Sequence, residues 1–250
     1  MPILHAVILG FVQGIAEFLP ISSSGFLILT PHVFGWEEQS LAFDTTLHLA
    51  TLAAVIVALW PEVKKWRSYA SWIVLATIPA LVVGFLIEKV WQLDLRSVNV
   101  VGWSFIIWGA VLFVADQYAK SIPADVTKVG LKRAMWIGLA QAVALIPGTS
   151  RSGITITAGL FSGLSRRTAA TFSFLLGIPT IAAAGTLNLI DMVKHPDTVD
   201  FVPLIVGFLV AFLTGLFTIK FFLRFLEKNS FREIAVLRVI LGILILVTMS

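Results

Sequence analysis

The chain has 250 residues, 58% hydrophobic and 13% charged, with a mean hydropathy of +0.96. Soluble domains carry about 25% charged residues, so a soluble domain is excluded and a single integral membrane domain, 1–250, is expected. The formal charge of +4 does not signal nucleic acid, because Lys and Arg sit in short loops between oily stretches, and the lack of cysteine excludes disulfides and thiolate metal sites.

Met1 to Leu9 lead straight into a first helix, without the basic segment and cleavage site of a signal peptide. The first apolar region, 3–30, is broken by Gln13-Gly-Ile-Ala-Glu17-Phe-Leu-Pro20-Ile-Ser22-Ser23-Ser24-Gly25. Apolar stretches at 42–61, 71–90 and 98–118 follow, each near the ~20 residues that a crossing needs. The next apolar region, 132–163, is broken by Gln141-Ala-Val-Ala-Leu145-Ile-Pro147-Gly148-Thr149-Ser150-Arg151-Ser152-Gly153. Stretches at 168–190, 201–223 and 234–249 complete the chain. Each arm of a broken region is short for a crossing. The breaks combine Pro with Ser and Gly runs, which favours re-entrant helical hairpins over simply kinked spans.

The two breaks are 128 positions apart, from Gln13 to Gln141 and again from Gly25 to Gly153. Three spans separate them, and an odd number inverts the second half. The fold class expected is therefore all-α: six transmembrane helices plus two re-entrant hairpins, in inverted repeats of about 1–120 and 128–250. Charge agrees. With Glu37 and Glu38 outside, alternation puts Lys64, Lys65, Arg67, Lys128, Lys132, Arg133, Arg166, Arg224 and Lys228 inside. Lys89, Asp94, Arg96, Asp191, Lys194 and Asp197 then fall outside. Hydrocarbon tolerates irregular polar backbone only where it is buried or lines a cavity, so the two breaks should meet near the midplane at one site.

Glu17 lies among Ile, Ala, Phe and Leu, and a carboxylate at membrane depth is a functional hypothesis by default. Gln13, one turn earlier, can face the same cavity. Ser22, Ser23 and Ser24 exceed what helix capping requires, and a hydroxyl beside a base is the minimum arrangement for nucleophilic attack. Arg151 lies in a Gly-rich turn that opens a helix. Backbone N–H groups, a helix N-terminus and a guanidinium fork together read as a phosphate cradle; the alternative is an arginine snorkelling to the inner interface. Asp44 and His48 share a helix face and form either a binding pair or a satisfied structural pair.

These segments resemble the undecaprenyl-pyrophosphate phosphatase family of bacteria, the bacitracin-resistance type. The matching strings are Glu17-Phe-Leu-Pro-Ile-Ser-Ser-Ser-Gly25, Phe43-Asp44 with His48-Leu-Ala-Thr51, Pro147-Gly-Thr-Ser-Arg-Ser-Gly153 and Phe172-Ser-Phe-Leu-Leu-Gly-Ile-Pro179. The resemblance implies a lipid pyrophosphate hydrolase of the bacterial inner membrane that regenerates the carrier for cell-wall synthesis. It makes Glu17 the essential carboxylate, aiding a divalent metal (Mg or Ca) or acting as base. Ser23 becomes the nucleophile or a phosphate contact, and Arg151 the pyrophosphate clamp. The substrate contacts expected around them are Gln13, Ser22, Ser24, Gly148, Ser150, Ser152 and Thr155. The expected partners are the isoprenoid lipid pyrophosphate and membrane lipid, and a homodimer is compatible with the pattern. The chain departs from the family at Phe26, where a His is usual, and at Gln13, where a carboxylate is frequent. Those departures leave a lipid-phosphate transporter or a binding homologue as alternatives to an outward-facing phosphatase.

Overall fold

The computed structural model describes residues 1–91, 97–120, 125–194 and 200–249, which form helices joined by short loops, with no strand among them. Asp94, Arg96 and Asp197 of the charge pattern lie outside the described residues, as do the side chains of Lys89, Asp191 and Lys194. Helices α1 (Ile3–Ala16) and α2 (Ser23–Phe34) flank the first break, followed by α3 (Leu41–Ala58), α4 (Ala70–Phe85) and α5 (Val98–Ala115). The second half runs in the same order. Helices α6 (Leu131–Gln141) and α7 (Arg151–Phe161) flank the second break, followed by α8 (Arg166–Lys194), α9 (Phe201–Phe225) and α10 (Arg232–Thr248).

Four helical stretches are long and apolar enough to cross a membrane: Leu41–Ala58, Val98–Tyr118, Arg166–Thr186 and Phe201–Phe225. The expected spans 71–90 and 234–249 also fall on helices. Helix α4 has 16 residues before it passes into a π turn at Leu86–Trp91, and α10 has 17 residues with Arg232, Glu233 and Arg238 among them. Helix α9 turns Ile205, Leu209, Leu213, Phe217 and Phe221 outward in one stripe, a face that only lipid or another apolar surface accommodates.

Helices pair across the two halves. Helix α1 packs on α9 and α6 on α4; α3 packs on α8, and α5 on α10. Exchanging the halves maps each of these pairs onto another or onto itself. Glycines make the first two crossings close. A Cβ on Gly10 would lie 2.8 Å from the Gly207 carbonyl oxygen, and one on Gly138 would lie 2.1 Å from that of Ala76. Gly10 and Gly138 are themselves 128 positions apart. On the face expected to lie inside, buried Asp116 gathers three elements: Arg166 donates to both of its oxygens at 2.6 and 2.9 Å, and the Phe231 N–H donates at 3.1 Å.

Candidate functional site

Both breaks have the same local design. Helix α1 ends at Ala16 because Pro20 removes a helical N–H and bars the residue before it from helical backbone. Ser22 then takes φ +83°, and its Oγ accepts the Gly25 N–H at 3.3 Å, so α2 starts at Ser23. In the second break Pro147 and Gly148 play the same part. Ser150 takes φ +71°, its Oγ accepts the Gly153 N–H at 3.0 Å, and α7 starts at Arg151. Ser22 and Ser150 are the non-glycine residues with positive φ among the described residues, and they are 128 positions apart. Such backbone costs about 1–3 kcal/mol per residue and persists where the surroundings impose it, commonly at functional sites.

The design delivers Ser23 and Arg151 to one carboxylate. Ser23 Oγ donates to Glu17 Oε2 at 2.7 Å, and Arg151 Nη2 donates to Glu17 Oε1 at 2.7 Å. Glu17 is 5% exposed. Gln13 Nε2 lies 3.0 Å from Glu17 Oε2 and 3.0 Å from His48 Nδ1, and that Nδ1 lies 3.2 Å from Glu17 Oε2. With Nδ1 protonated the imidazole donates to Glu17; with Nδ1 bare it accepts from Gln13. Arg151 is steadied on its far side, where Nη1 donates to the Ser173 carbonyl at 2.9 Å. Its guanidinium lies against bare backbone at Gly177, where a Cβ would come within 2.3 Å of Nη1.

These groups open onto a cavity of about 360 Å³. Its polar wall holds Glu17, Ser22, Ser23, Ser24, Asp44, His48, Ser150, Arg151 and Thr180. Its apolar wall includes Leu27, Ile28, Leu41, Ala144, Ile181 and Ala184. A polar floor beside an apolar wall suits a ligand with a charged head and a hydrocarbon tail.

The sequence places Gln13, Gly148, Ser152 and Thr155 among the substrate contacts, and the structure puts all four behind the cavity wall. Gln13 is fully buried and braces Glu17. Gly148 packs on α5, where a Cβ would meet the Val101 Cα at 2.8 Å. Ser152 Oγ donates to the Leu19 carbonyl at 3.3 Å, which joins the two breaks. Thr155 bonds the Arg151 carbonyl at 2.8 Å and the Ser173 hydroxyl at 2.7 Å. The sequence leaves His48 as an open question, gives Ser173 and Gly177 no role of their own within the string 172–179, and does not single out Arg238. An i, i+4 pair with Asp44 inside a span was the signal for His48. A lone arginine within the apolar stretch 234–249 was the signal for Arg238, and it went unread.

Phe26 faces away from Glu17. Its ring lies 5.8 Å from that of Phe105 and lines a separate apolar groove with Leu29, Val33, Leu241 and Ile245. A cation held by the protein alone does not fit the site as built. Both Glu17 oxygens are engaged, one of them by Arg151, and among the described residues no three His, Cys, Asp or Glu side chains converge.

A family model described as bacitracin resistance protein BacA matches residues 6–244. The chain belongs to this family. Among its BacA-family relatives, "Undecaprenyl-diphosphatase" of Chromohalobacter salexigens is 42% identical over 98% of each chain. "Undecaprenyl-diphosphatase 1" of Pseudoalteromonas translucida is 39% identical over 100% of each chain. That of Nitrosococcus oceani is 42% identical over 98% of each. BacA membership accords with a multi-pass helical chain whose two sequence breaks converge on one buried carboxylate.

Proposed function

We propose that the chain hydrolyses undecaprenyl pyrophosphate to undecaprenyl phosphate and inorganic phosphate at the Glu17 cavity, recycling the lipid carrier of cell-wall synthesis and so conferring bacitracin resistance. The observation that carries this reading is a single buried carboxylate holding a serine hydroxyl on one oxygen and a guanidinium on the other. The transporter and binding-homologue alternatives gain no support from relatives named as diphosphatases.

The terminal phosphate enters beside Arg151, which has N–H groups to offer beyond the two that hold Glu17 and Ser173. Ser23 Oγ attacks the terminal phosphorus while its proton passes to Glu17 Oε2. The bond from phosphorus to the bridging oxygen breaks, and the lipid monophosphate leaves with that electron pair and the proton from Glu17. Water then attacks the phosphoserine, its proton passes through Glu17 to Ser23 Oγ, and inorganic phosphate departs. Arg151 stabilises the equatorial oxygens in both steps. His48 and Gln13 fix the Glu17 carboxylate. Mg or Ca enters this proposal with the pyrophosphate, as part of the substrate.

The test is phosphate release from undecaprenyl pyrophosphate by purified protein, native beside Ser23→Ala. The native protein is expected to be active and the variant to lose on the order of 10⁶-fold in kcat, as removal of a covalent nucleophile does. Native-like turnover in Ser23→Ala would make water, not Ser23, the attacking group. For Phe26→His no gain is expected, because the new imidazole would sit in the apolar groove against Phe105. A clear rise in phosphate release would show that this ring reaches the cavity.

The proposal includes six crossings and two re-entrant hairpins in inverted repeats, supported by the packing of helices across halves and by the matched Ser22 and Ser150 backbones. It places the cavity outward in the inner membrane. The chain has no native cysteine, so single cysteines report topology cleanly. Glu38→Cys is expected to react with an impermeant maleimide in spheroplasts, and Lys228→Cys only after permeabilisation. The reverse pattern would flip the orientation. A homodimer stays within the proposal, with light scattering in detergent as its check.

A further inference from the structure

Arg238, on α10, is fully buried, and its guanidinium donates only to main-chain carbonyls. Nη1 donates to Pro20 at 2.9 Å. Nη2 reaches Gly148 at 2.9 Å, Thr149 at 3.0 Å and Ser104 at 3.4 Å. Its cationic carbon lies 5.4 Å from the face of Phe105. Among the described residues no carboxylate pairs with it. A buried guanidinium is costly without an anion, so its placement needs a reason.

The breaks supply one. Where a helix stops inside a membrane, its carbonyls lose their helical N–H partners and no bulk water replaces them. Pro20 belongs to the first break, and Gly148 and Thr149 to the second. Ser23 follows Pro20 by three residues, and Arg151 follows Thr149 by two. One rigid fork therefore holds the peptide ahead of the nucleophile against the peptide ahead of the clamp. A lysine ammonium, a compact point charge, cannot span the same set of oxygens.

We infer that Arg238 is a positioning residue that locks the two breaks in register, so that Ser23 and Arg151 meet on Glu17. It touches no substrate and acts through the backbone at Pro20, Gly148 and Thr149. The kinetic part of this inference rests on the phosphatase reading; the geometric part does not.

The test compares native protein, Arg238→Lys and Arg238→Ala in detergent, by phosphate release from undecaprenyl pyrophosphate and by amide hydrogen exchange. In Arg238→Lys, kcat is expected to fall about 10²-fold, the size of effect that a small misplacement of reacting groups produces, with KM little changed. Exchange is expected to rise at 18–26 and 146–154 together and to stay native in α3, α8 and α9. Guanidinium ion added to Arg238→Ala is expected to restore part of kcat and to quieten both segments, and ammonium to do neither. Native rates and native exchange in Arg238→Lys would overturn the inference. So would a lost rate with both segments quiet. Exchange rising through all helices, or failure of both variants to fold even with guanidinium, would make Arg238 a general folding residue and overturn it too. If native protein releases no phosphate, the phosphatase reading fails, and exchange at the two breaks still decides the role of Arg238.

Discussion

Glu17→Gln is expected to lower kcat for phosphate release by about 10²–10⁴-fold, the range for losing a general base, with KM unchanged or lower. The amide keeps the shape of the carboxylate and can still accept the Ser23 hydroxyl, but it cannot take the proton. The substitution also frees the Arg151 Nη2 that now lies 2.7 Å from Glu17 Oε1. A freed guanidinium holds the substrate pyrophosphate at least as well as before, so binding survives while turnover fails. Steady-state kinetics on the purified variant, beside a thermal melt to confirm folding, make the check. A kcat within tenfold of native would remove Glu17 from the proton path and leave it as an anchor for Arg151.

Arg151→Lys is expected to lower kcat/KM by about 10²–10³-fold, comparable to losing a main donor to a developing oxyanion. Lysine can still pair with Glu17, so the fold should survive. It cannot donate to Glu17, to the Ser173 carbonyl and to two phosphate oxygens at once, because its three donors radiate from one atom. Its flexible stem also gains nothing from the flat space at Gly177 that accepts a guanidinium. Both KM and kcat should suffer, in contrast to Glu17→Gln. Near-native kcat/KM would mean that Arg151 serves the architecture rather than the phosphate.

The trio Glu17, Ser23 and Arg151 was legible in sequence because each residue violates its surroundings. A carboxylate, a run of hydroxyls and an arginine in oily segments are expensive, and expense in a membrane points to use. The breaks were legible because Pro, Gly and Ser cannot continue a helix. The surroundings of Gly148, Ser152 and Thr155 were not legible. The motif gives residue types that suit phosphate, but the direction each side chain faces depends on what packs behind it. Here that is Val101, Leu19 and Ser173. The same holds for Phe26, whose ring is directed by Phe105 on another helix.

The membrane class, the helical elements, the two breaks and the constant offset of 128 between them are legible in the residues alone. Those follow from composition and from local backbone chemistry, which act over a few residues. Which groups meet is set by the packing of the helices. His48 joins Gln13 across 35 positions, Arg151 joins Glu17 across 134, and Arg238 reaches the Pro20 carbonyl across 218. No local periodicity encodes such distances. They are set by how helices pack within and across the two halves, and by the need to give partners to main-chain carbonyls, such as those of Pro20, Gly148 and Thr149, in a medium that offers no water.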